Sequence, residues 1–277
     1  DQPRSRGLGD VYKRQMEECI TVMENIFIQL EEDQAFNPLR SSMLIPGENG
    51  LLSMMPGYLN KQDIMGIKSV SVYPENANIG LESHQGTVTL FNAKNGIPLA
   101  IMDAGQITAI RTAAVSAVAT KILAKNNSKI LAILGSGVQA RTHIEAMNTV
   151  LNLDEIRVWS RNKNSVKSLV EEQSKKYNVP FRHFDSVNDS ICDADVICTT
   201  TASVEPILHG KYLMDGVHIN AVGSSVYNTR ELDGTAMQLC KLYVDKKEST
   251  INAVSYTHLR AHEPEADLVC RLLLEKK

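Results

Sequence analysis

The 277-residue sequence has no apolar run approaching the ~20 residues that span a bilayer, so nothing in it reads as a membrane helix. It also has little net charge. Against 29 Lys and Arg stand 32 Asp and Glu, leaving −3 and a pI near 6.2. Bulk attraction to nucleic acid or to an anionic membrane is thereby excluded as a driving force, and neither is expected as a partner. The cysteines (Cys19, Cys192, Cys198, Cys240, Cys270) are odd in number and scattered, with no CxxC. That pattern supplies neither a disulfide framework nor a structural zinc site, and it fits a reducing, cytoplasmic setting. The thiols read as small buried hydrophobes. No secretory apolar segment opens the chain. His143, His183, His209 and His218 are not at metal-ligand spacing, so no metal is expected. What is present is an ordinary globular composition, 43% hydrophobic and 22% charged, in a length suited to one large or two modest domains.

Both ends depart from the middle. Residues 1–15 (DQPRSRGLGDVYKRQ) show neither helical nor strand periodicity, and residues 254–277 begin as abruptly. Both resemble translated sequencing-adaptor read-through and are set aside as foreign segments. On this reading His258, His262 and Cys270 carry no function, and natural residues are missing at each end. The alternative is a disordered head and a short C-terminal helix over 268–274.

Residues 16–32 put Ile20, Met23, Phe27 and Leu30 at helical spacing with Glu17, Glu18, Glu24, Glu31 and Glu32 outward, the pattern of a surface helix. Residues 37–56 are rich in turn formers around one short strand at 43–45. Strands are expected at 69–73, 87–91 and 98–102. The last two are joined by Lys94-Asn95-Gly96, where Asn-Gly tolerates the positive φ of a tight turn. Residues 16–105 thus form an antiparallel α+β unit. From Ile107 the character changes to an Ala-rich helix whose small face can pack closely. Strands at 129–134, 155–159, 180–184, 196–200, 217–222 and 241–245 then alternate with helices at 138–150 and 164–176. Such alternation of buried apolar strands and helices over 106–253 predicts an α/β, doubly wound parallel sheet.

The strongest local chemistry is Gly135-Ser136-Gly137-Val138-Gln139-Ala140, placed between a strand and a helix. This is the G-x-G-x-x-A form of the dinucleotide fingerprint in the context it requires. Gly135 permits the tight turn, Gly137 lets the backbone approach a pyrophosphate, and Ala140 keeps the helix near the strand. The helix start offers unbonded N–H groups and a positive dipole end. The next strand ends in Ser160-Arg161-Asn162 with no carboxylate to bond a ribose 2′-hydroxyl. Arg161 can pair with a 2′-phosphate, and Ser160 and Asn162 can donate to it, so NADP(H) is preferred, with NAD(H) as the alternative. Arg111, in an otherwise apolar helix start, and the isolated Arg40 and Lys68 are candidate carboxylate ligands, although each alone reads more readily as a surface charge. The residues by themselves imply an NADP-dependent oxidoreductase of unspecified substrate.

Met55-Pro56, Glu82-Ser83-His84-Gln85, the stretch from Ile107 through Arg111 to Ala114, the Gly135 cradle, Asn220-Ala221-Val222-Gly223-Ser224-Ser225 and Arg230-Glu231-Leu232-Asp233 occur in this order. Together they resemble the ornithine cyclodeaminase/mu-crystallin family over residues 37–247. The resemblance implies a homodimer with a Rossmann-type domain and an N-terminal substrate and dimerisation domain, acting on the C–N bond of small α-amino or α-imino acids. It implies that the family's C-terminal return segment is absent here. It also implies that Arg40, Lys68 and Arg111 hold the substrate carboxylate and that Ser83, His84 and Thr112 lie near the nicotinamide. Gly135, Gly137, Val138, Gln139, Ser160, Arg161, Asn162, Thr201, Ala202 and Val222 would line the cofactor, with Arg111 also reaching it.

One position separates the family's members. Cyclodeaminases resemble NAVG followed two residues on by an Asp that acts as general base; this chain has Ser225 there, and Ser53 where they place a Glu before the Met-Pro pair. A serine hydroxyl takes no proton at neutral pH without an activating base. Both departures resemble the mu-crystallin, ketimine reductase-like branch. The expected activity is therefore NAD(P)H-dependent reduction of a small α-imino acid of ketimine or pyrroline-2-carboxylate type. Lys68, Arg111 and Ser225 would be the catalytic residues, with Ser225 bonding the imine nitrogen or an ordered water. The alternatives are an NAD-dependent lyase converting ornithine to proline and ammonia, and a non-catalytic NADPH-dependent small-molecule-binding protein.

Overall fold

The computed structural model describes residues 8–223 and 230–245. The chain divides into two compact units, Glu24–Ile110 and the combination of Asp1–Met23 with Arg111–Lys277.

Helix α1 (Leu8–Glu31) contributes to both. Met16, Ile20 and Phe27 are buried at the spacing of one helical face, while Glu17, Glu18, Glu31 and Glu32 are exposed. The helix starts at Leu8, inside the segment where the sequence shows no period. A helix once nucleated on its amphipathic part extends at little cost per residue.

The Glu24–Ile110 unit is built on β1 (Ala35–Phe36), β2 (Ser41–Leu44), β3 (Leu51–Leu59), β4 (Ile64–Val72), β5 (His84–Asn92) and β6 (Pro98–Asp103). They form an antiparallel sheet in the order β1-β3-β4-β5-β6, with β2 also on β3. The β5–β6 turn bonds Asn92 N–H to the Ile97 carbonyl and gives Gly96 a φ of +75°, as the Asn-Gly pair requires. β3 is a strand that the turn-rich reading of 37–56 conceals. Its Pro56 opposes Ile67 of β4, and on β3's other side β2 reaches only to Met54 and β1 only from Tyr58. Proline therefore occupies a position paired on one side, which it tolerates.

The second unit continues helix α2 (Ala104–Leu123) from Arg111 and carries β7 (Ile130–Leu134), α3 (Val138–Val150), β8 (Glu155–Trp159), α4 (Lys163–Ser174), β9 (Phe181–His183), α5 (Val187–Ile191), β10 (Val196–Thr199), β11 (His218–Ala221) and α6 (Gly234–Leu239). The sheet is parallel throughout, ordered β11-β10-β7-β8-β9. The strand order reverses between β7 and β10, and in such sheets ligands bind outside the carboxyl ends of the strands at that point. Leu131, Ile133, Leu134, Val196 and Ile197 are buried in this sheet, and Ala113, Ala114 and Ala117 form the buried small-residue face of α2. Residues 241–245, expected as a further strand, carry only a single bridge, at Tyr243. Their alternation is strand-like, but strand structure exists only through a partner's ladder, and β11 pairs with β10 alone among the described residues.

Candidate functional site

The cradle sits at the carboxyl end of β7. Gly135 has φ +134°, a region that other residues rarely enter, and donates its N–H to the Trp159 carbonyl at 2.7 Å. A Cβ there would lie 2.5 Å from Thr200 Oγ1, so the position is closed to side chains twice over. Gly137 differs. It caps α3 without a side-chain hydrogen bond, and a Cβ on it would meet nothing within 4 Å. A side chain would fill only the space over the first helical turn, where N–H groups face outward; that is the cradle a dinucleotide pyrophosphate needs. Gln139 Oε1 is buried beside it without a hydrogen-bond partner. Behind the loop, Arg141 Nη1 donates to the carbonyls of Ser136 (2.8 Å) and Gly137 (3.2 Å), while its Nε donates to Glu172 Oε2 at 2.9 Å. With the carbonyls held from behind, the N–H groups are left to the front. The residues present fit a dinucleotide.

At the tip of β8, Ser136 Oγ donates to Ser160 Oγ at 3.1 Å, joining the cradle to the next loop. Arg161 is exposed. Asn162 Oδ1 caps α4, accepting from the N–H groups of Asn164 (3.0 Å) and Ser165 (3.1 Å), so its amide nitrogen is the part that can donate to a ligand.

The carboxyl ends of β10 and β11 are tied by a carboxylate. Glu231 is fully buried. Its Oε1 accepts from Thr201 N–H (2.6 Å) and Oγ1 (2.7 Å), and its Oε2 from Thr199 Oγ1 (2.7 Å) and Gly223 N–H (2.7 Å). A Cβ on Gly223 would overlap the Thr201 carbonyl oxygen, so glycine is obligatory there. Thr201, Ala202 and Val222 lie on the two loops so joined, and Val222 N–H donates to the Thr199 carbonyl at 3.1 Å. Ser225 lies outside the described residues.

In the Glu24–Ile110 unit, β3–β4 opposes Met55 to Lys68 and Ser53 to Val70, and β4–β5 opposes Lys68 to Val88 and Val72 to His84. Directly opposed residues share a face, so Ser53, Lys68 and His84 are on one side of the sheet. Ser42 opposes Ser53 and shares a 2.6 Å hydroxyl–hydroxyl hydrogen bond with it. Arg40, exposed just before β2, continues the same alternation two residues earlier. Lys68 Nζ donates to Thr108 Oγ1 at 3.1 Å, a residue one turn before Arg111 in the chain. Ser83 Oγ is 3.0 Å from His84 Nδ1. Partial burial of the imidazole and the Lys68 charge lower the His84 pKa, against a smaller upward effect of Glu82.

In the second unit, Arg111 and Thr112 line a cavity of about 670 Å³ with Ser116, Asn220, Ala221 and Val222. His143, without a role in the sequence reading, is buried beneath the cradle. Its Nδ1 donates to the Gln139 carbonyl at 2.7 Å, and its Nε2 accepts from Ser116 Oγ at 2.9 Å. Burial pushes its pKa down to about 4, so the ring is neutral. Among the described residues, no cluster of His, Cys, Asp and Glu could hold a metal ion, and no helix is long and apolar enough to cross a membrane.

A family model, ornithine cyclodeaminase/mu-crystallin, matches residues 10–269. The chain belongs to this family. The mouse protein named ketimine reductase mu-crystallin is 40% identical over 214 residues, covering 77% of this chain and 67% of that protein. The Delta(1)-pyrroline-2-carboxylate reductase of Bacillus cereus is 34% identical over 234 residues, 83% of this chain and 72% of its own. The structure of Thermococcus litoralis Delta(1)-pyrroline-2-carboxylate reductase in complex with NADH and L-proline superposes with a TM-score of 0.82 at 38% identity, covering 85% of this chain and 73% of that one.

Within this family fold, the structure brings the predicted cradle residues to one strand end and joins them to Ser160, and it ties Thr201 to Gly223, the residue after Val222, through a shared carboxylate. It also places Lys68 and His84 on one sheet face. Two supporting residues escaped the sequence reading. Arg141 stands one turn inside α3, where an arginine reaches back to the carbonyls of the preceding loop; its position four residues after Gly137 was the available signal. Glu231 sits in the quoted Arg-Glu-Leu-Asp motif, but nothing local distinguishes its buried carboxylate from the exposed ones elsewhere in the chain.

Proposed function

We propose that this chain is an NAD(P)H-dependent reductase of small α-imino acids, of ketimine or pyrroline-2-carboxylate type, yielding L-amino acids. The observation that carries the reading is a dinucleotide cradle in a chain with serines at both positions where the family's lyases place carboxylates. Ser53 is buried and bonded to Ser42, so it offers no base, and Ser225 has no carboxylate to offer. The names of the mouse and Bacillus cereus relatives support reduction over cyclisation. The NADH and L-proline of the Thermococcus litoralis structure support both the cofactor class and the substrate class.

Bound at the cradle, the reduced nicotinamide supplies the hydride. The chain supplies the rest. Arg40, Lys68 and Arg111 hold the substrate carboxylate, and guanidinium forks fix its plane as well as its charge. A protonated imine is already electrophilic, so the protein needs no strong base and has only to hold the carbon at about 3–3.5 Å from the donor. Ser225 Oγ bonds the imine nitrogen or a water beside it. Ser83, His84 and Thr112 flank the nicotinamide; a His84 held neutral by its surroundings adds no charge there.

Arg161, on a strand tip without a carboxylate, favours NADP(H), with NAD(H) as the alternative. A homodimer in a reducing cytosol fits the family reading. The test is oxidation of NADPH with pyrroline-2-carboxylate, beside ammonia release from ornithine. Rapid NADPH oxidation is expected, with kcat/KM reduced by about 100-fold or more in Arg111→Ala through loss of a charged, bidentate contact. Ammonia release without net cofactor change would replace the reductase with the lyase.

A further inference from the structure

His143 is a fully buried polar side chain to which the proposed chemistry gives no task. It stands against α2, whose buried residues after Arg111 are Ala113, Ala114, Ser116, Ala117, Val118 and Thr120. A face of alanines offers few ridges to seat in a neighbour's grooves, so packing alone resists sliding or rotation of such a helix only weakly. The two hydroxyls, one turn apart, supply what the alanines lack. Ser116 Oγ donates to His143 Nε2 at 2.9 Å. One turn on, Thr120 Oγ1 lies 3.4 Å from Met147 Sδ of α3 and accepts from Asn220 Nδ2 of β11 at 2.9 Å. The other nitrogen of His143 donates to the Gln139 carbonyl, in the first turn of the cradle helix, at 2.7 Å. A carbonyl only accepts, so the hydrogen sits on Nδ1, Nε2 presents its lone pair, and the Ser116 hydroxyl has to donate. Buried polar contacts that are satisfied in this way select one arrangement of the elements they join.

We infer that His143 is a positioning residue: it locks helix α2, and with it the Arg111 guanidinium, in register with the first turn of the dinucleotide cradle. The inference rests on the reading of Arg111 as a ligand of the substrate carboxylate. Arg111 stands five residues before Ser116 in the same helix, about 7.5 Å along its axis. A helix is stiff over that distance, so slip at Ser116 arrives undiminished at Arg111. Hydride transfer needs the imine carbon at about 3–3.5 Å from its donor, yet the carboxylate ligand and the cofactor cradle belong to different helices. His143 carries the hydrogen-bonded path from one helix to the other.

The test is steady-state reduction of pyrroline-2-carboxylate by the full chain at saturating NADPH, with NADPH affinity measured separately by fluorescence titration. Ser116→Ala severs the link to α2 and leaves the bond between His143 and the cradle. It is expected to lower kcat/KM for the imino acid about tenfold, the cost of a sub-ångström misplacement, while the NADPH dissociation constant stays within about twofold. In an Arg111→Ala background the same substitution should cost less than about twofold, because the group it displaces is gone. The histidine itself is read by two variants. His143→Asn carries an amide that reaches only the Gln139 carbonyl and should match Ser116→Ala. His143→Gln sets an acceptor at the reach of Nε2 and should recover most of the loss. An undiminished loss in the Arg111→Ala background, equal losses in the two histidine variants, NADPH weakened as much as kcat/KM, or no loss in Ser116→Ala would overturn the inference. If Ser116→Ala does not fold, the two histidine variants, compared with and without Arg111→Ala, decide alone. No NADPH oxidation by the unaltered protein would remove the reductase reading and this inference with it. Normal turnover that the variants leave unmoved removes only the role of His143.

Discussion

β6 (PLAIMD) is nearly as apolar as β7 (ILAIL), yet its side chains are almost all exposed, whereas β7 is buried from Leu131 onward. The contrast extends to the units that hold them. In the parallel unit, β7 and β10 are covered on both faces, so their sequences read as unbroken apolar runs. In the antiparallel unit, Phe36, Leu44, Ile97, Leu99 and Ile101 are exposed apolar residues in the single chain, and most strand positions are half-buried. Apolar content therefore does not say what a strand does; the number of covered faces does. Exposed apolar strands of this kind suit a unit that makes the contacts of a homodimer, as proposed above.

The contrast is broken most directly by truncating both strands. Leu131→Ala should cost about 4 kcal/mol through lost burial and a residual cavity, whereas Ile101→Ala, 71% exposed, should cost under about 0.5 kcal/mol in a monomer. Chemical denaturation of both variants checks this, and a large cost for Ile101→Ala would show that its face is covered in solution. Glycine replacement gives the next effect. Gly135→Ala combines a disallowed φ with overlap on Thr200 and should cost about 3 kcal/mol, against about 1 kcal/mol for Gly96→Ala, where φ is positive but nothing stands within 4 Å. Melting temperatures report the difference.

His143 sharpens the contrast through pH. Its folded-state pKa lies below the unfolded one, so the unfolded chain takes the proton first. The stability it permits is complete above about pH 6.5 and is lost as the pH falls towards about 4. That loss should be on the order of 3 kcal/mol, and His143→Gln should flatten this part of the stability–pH curve. An unchanged slope in the variant would assign the acid sensitivity elsewhere. Arg141→Ala acts on the cofactor more than on folding. Freed from their brace, the Ser136 and Gly137 carbonyls should loosen the cradle and raise the cofactor dissociation constant about tenfold, measured by fluorescence titration, with little change in folding stability.

The legibility of the sequence follows the same division. The cradle was visible because three small residues at fixed spacing leave a local mark, and the parallel strands because burial on both faces removes polar residues. β3 was hidden by Pro56 and Gly57, which read as punctuation until the register shows that the strand is paired on one side there. The segment 241–245 erred the other way, since its alternation yields only a single bridge, at Tyr243, among the described residues. Lys68 and His84 share a sheet face only through register, which no single strand encodes.

The sequence by itself determined the α/β class, the position of the cradle, the absence of a carboxylate at the tip of β8, and serines where the family's lyases have carboxylates. All of these are properties of residues near one another in the chain. Only the tertiary structure decided that Glu231 holds Thr199, Thr201 and Gly223 together, that Arg141 turns the cradle's carbonyls away, and that His143 is neutral. These depend on hydrogen bonds between distant segments and on the loss of water around a charge, and both arise only when the chain has closed around them.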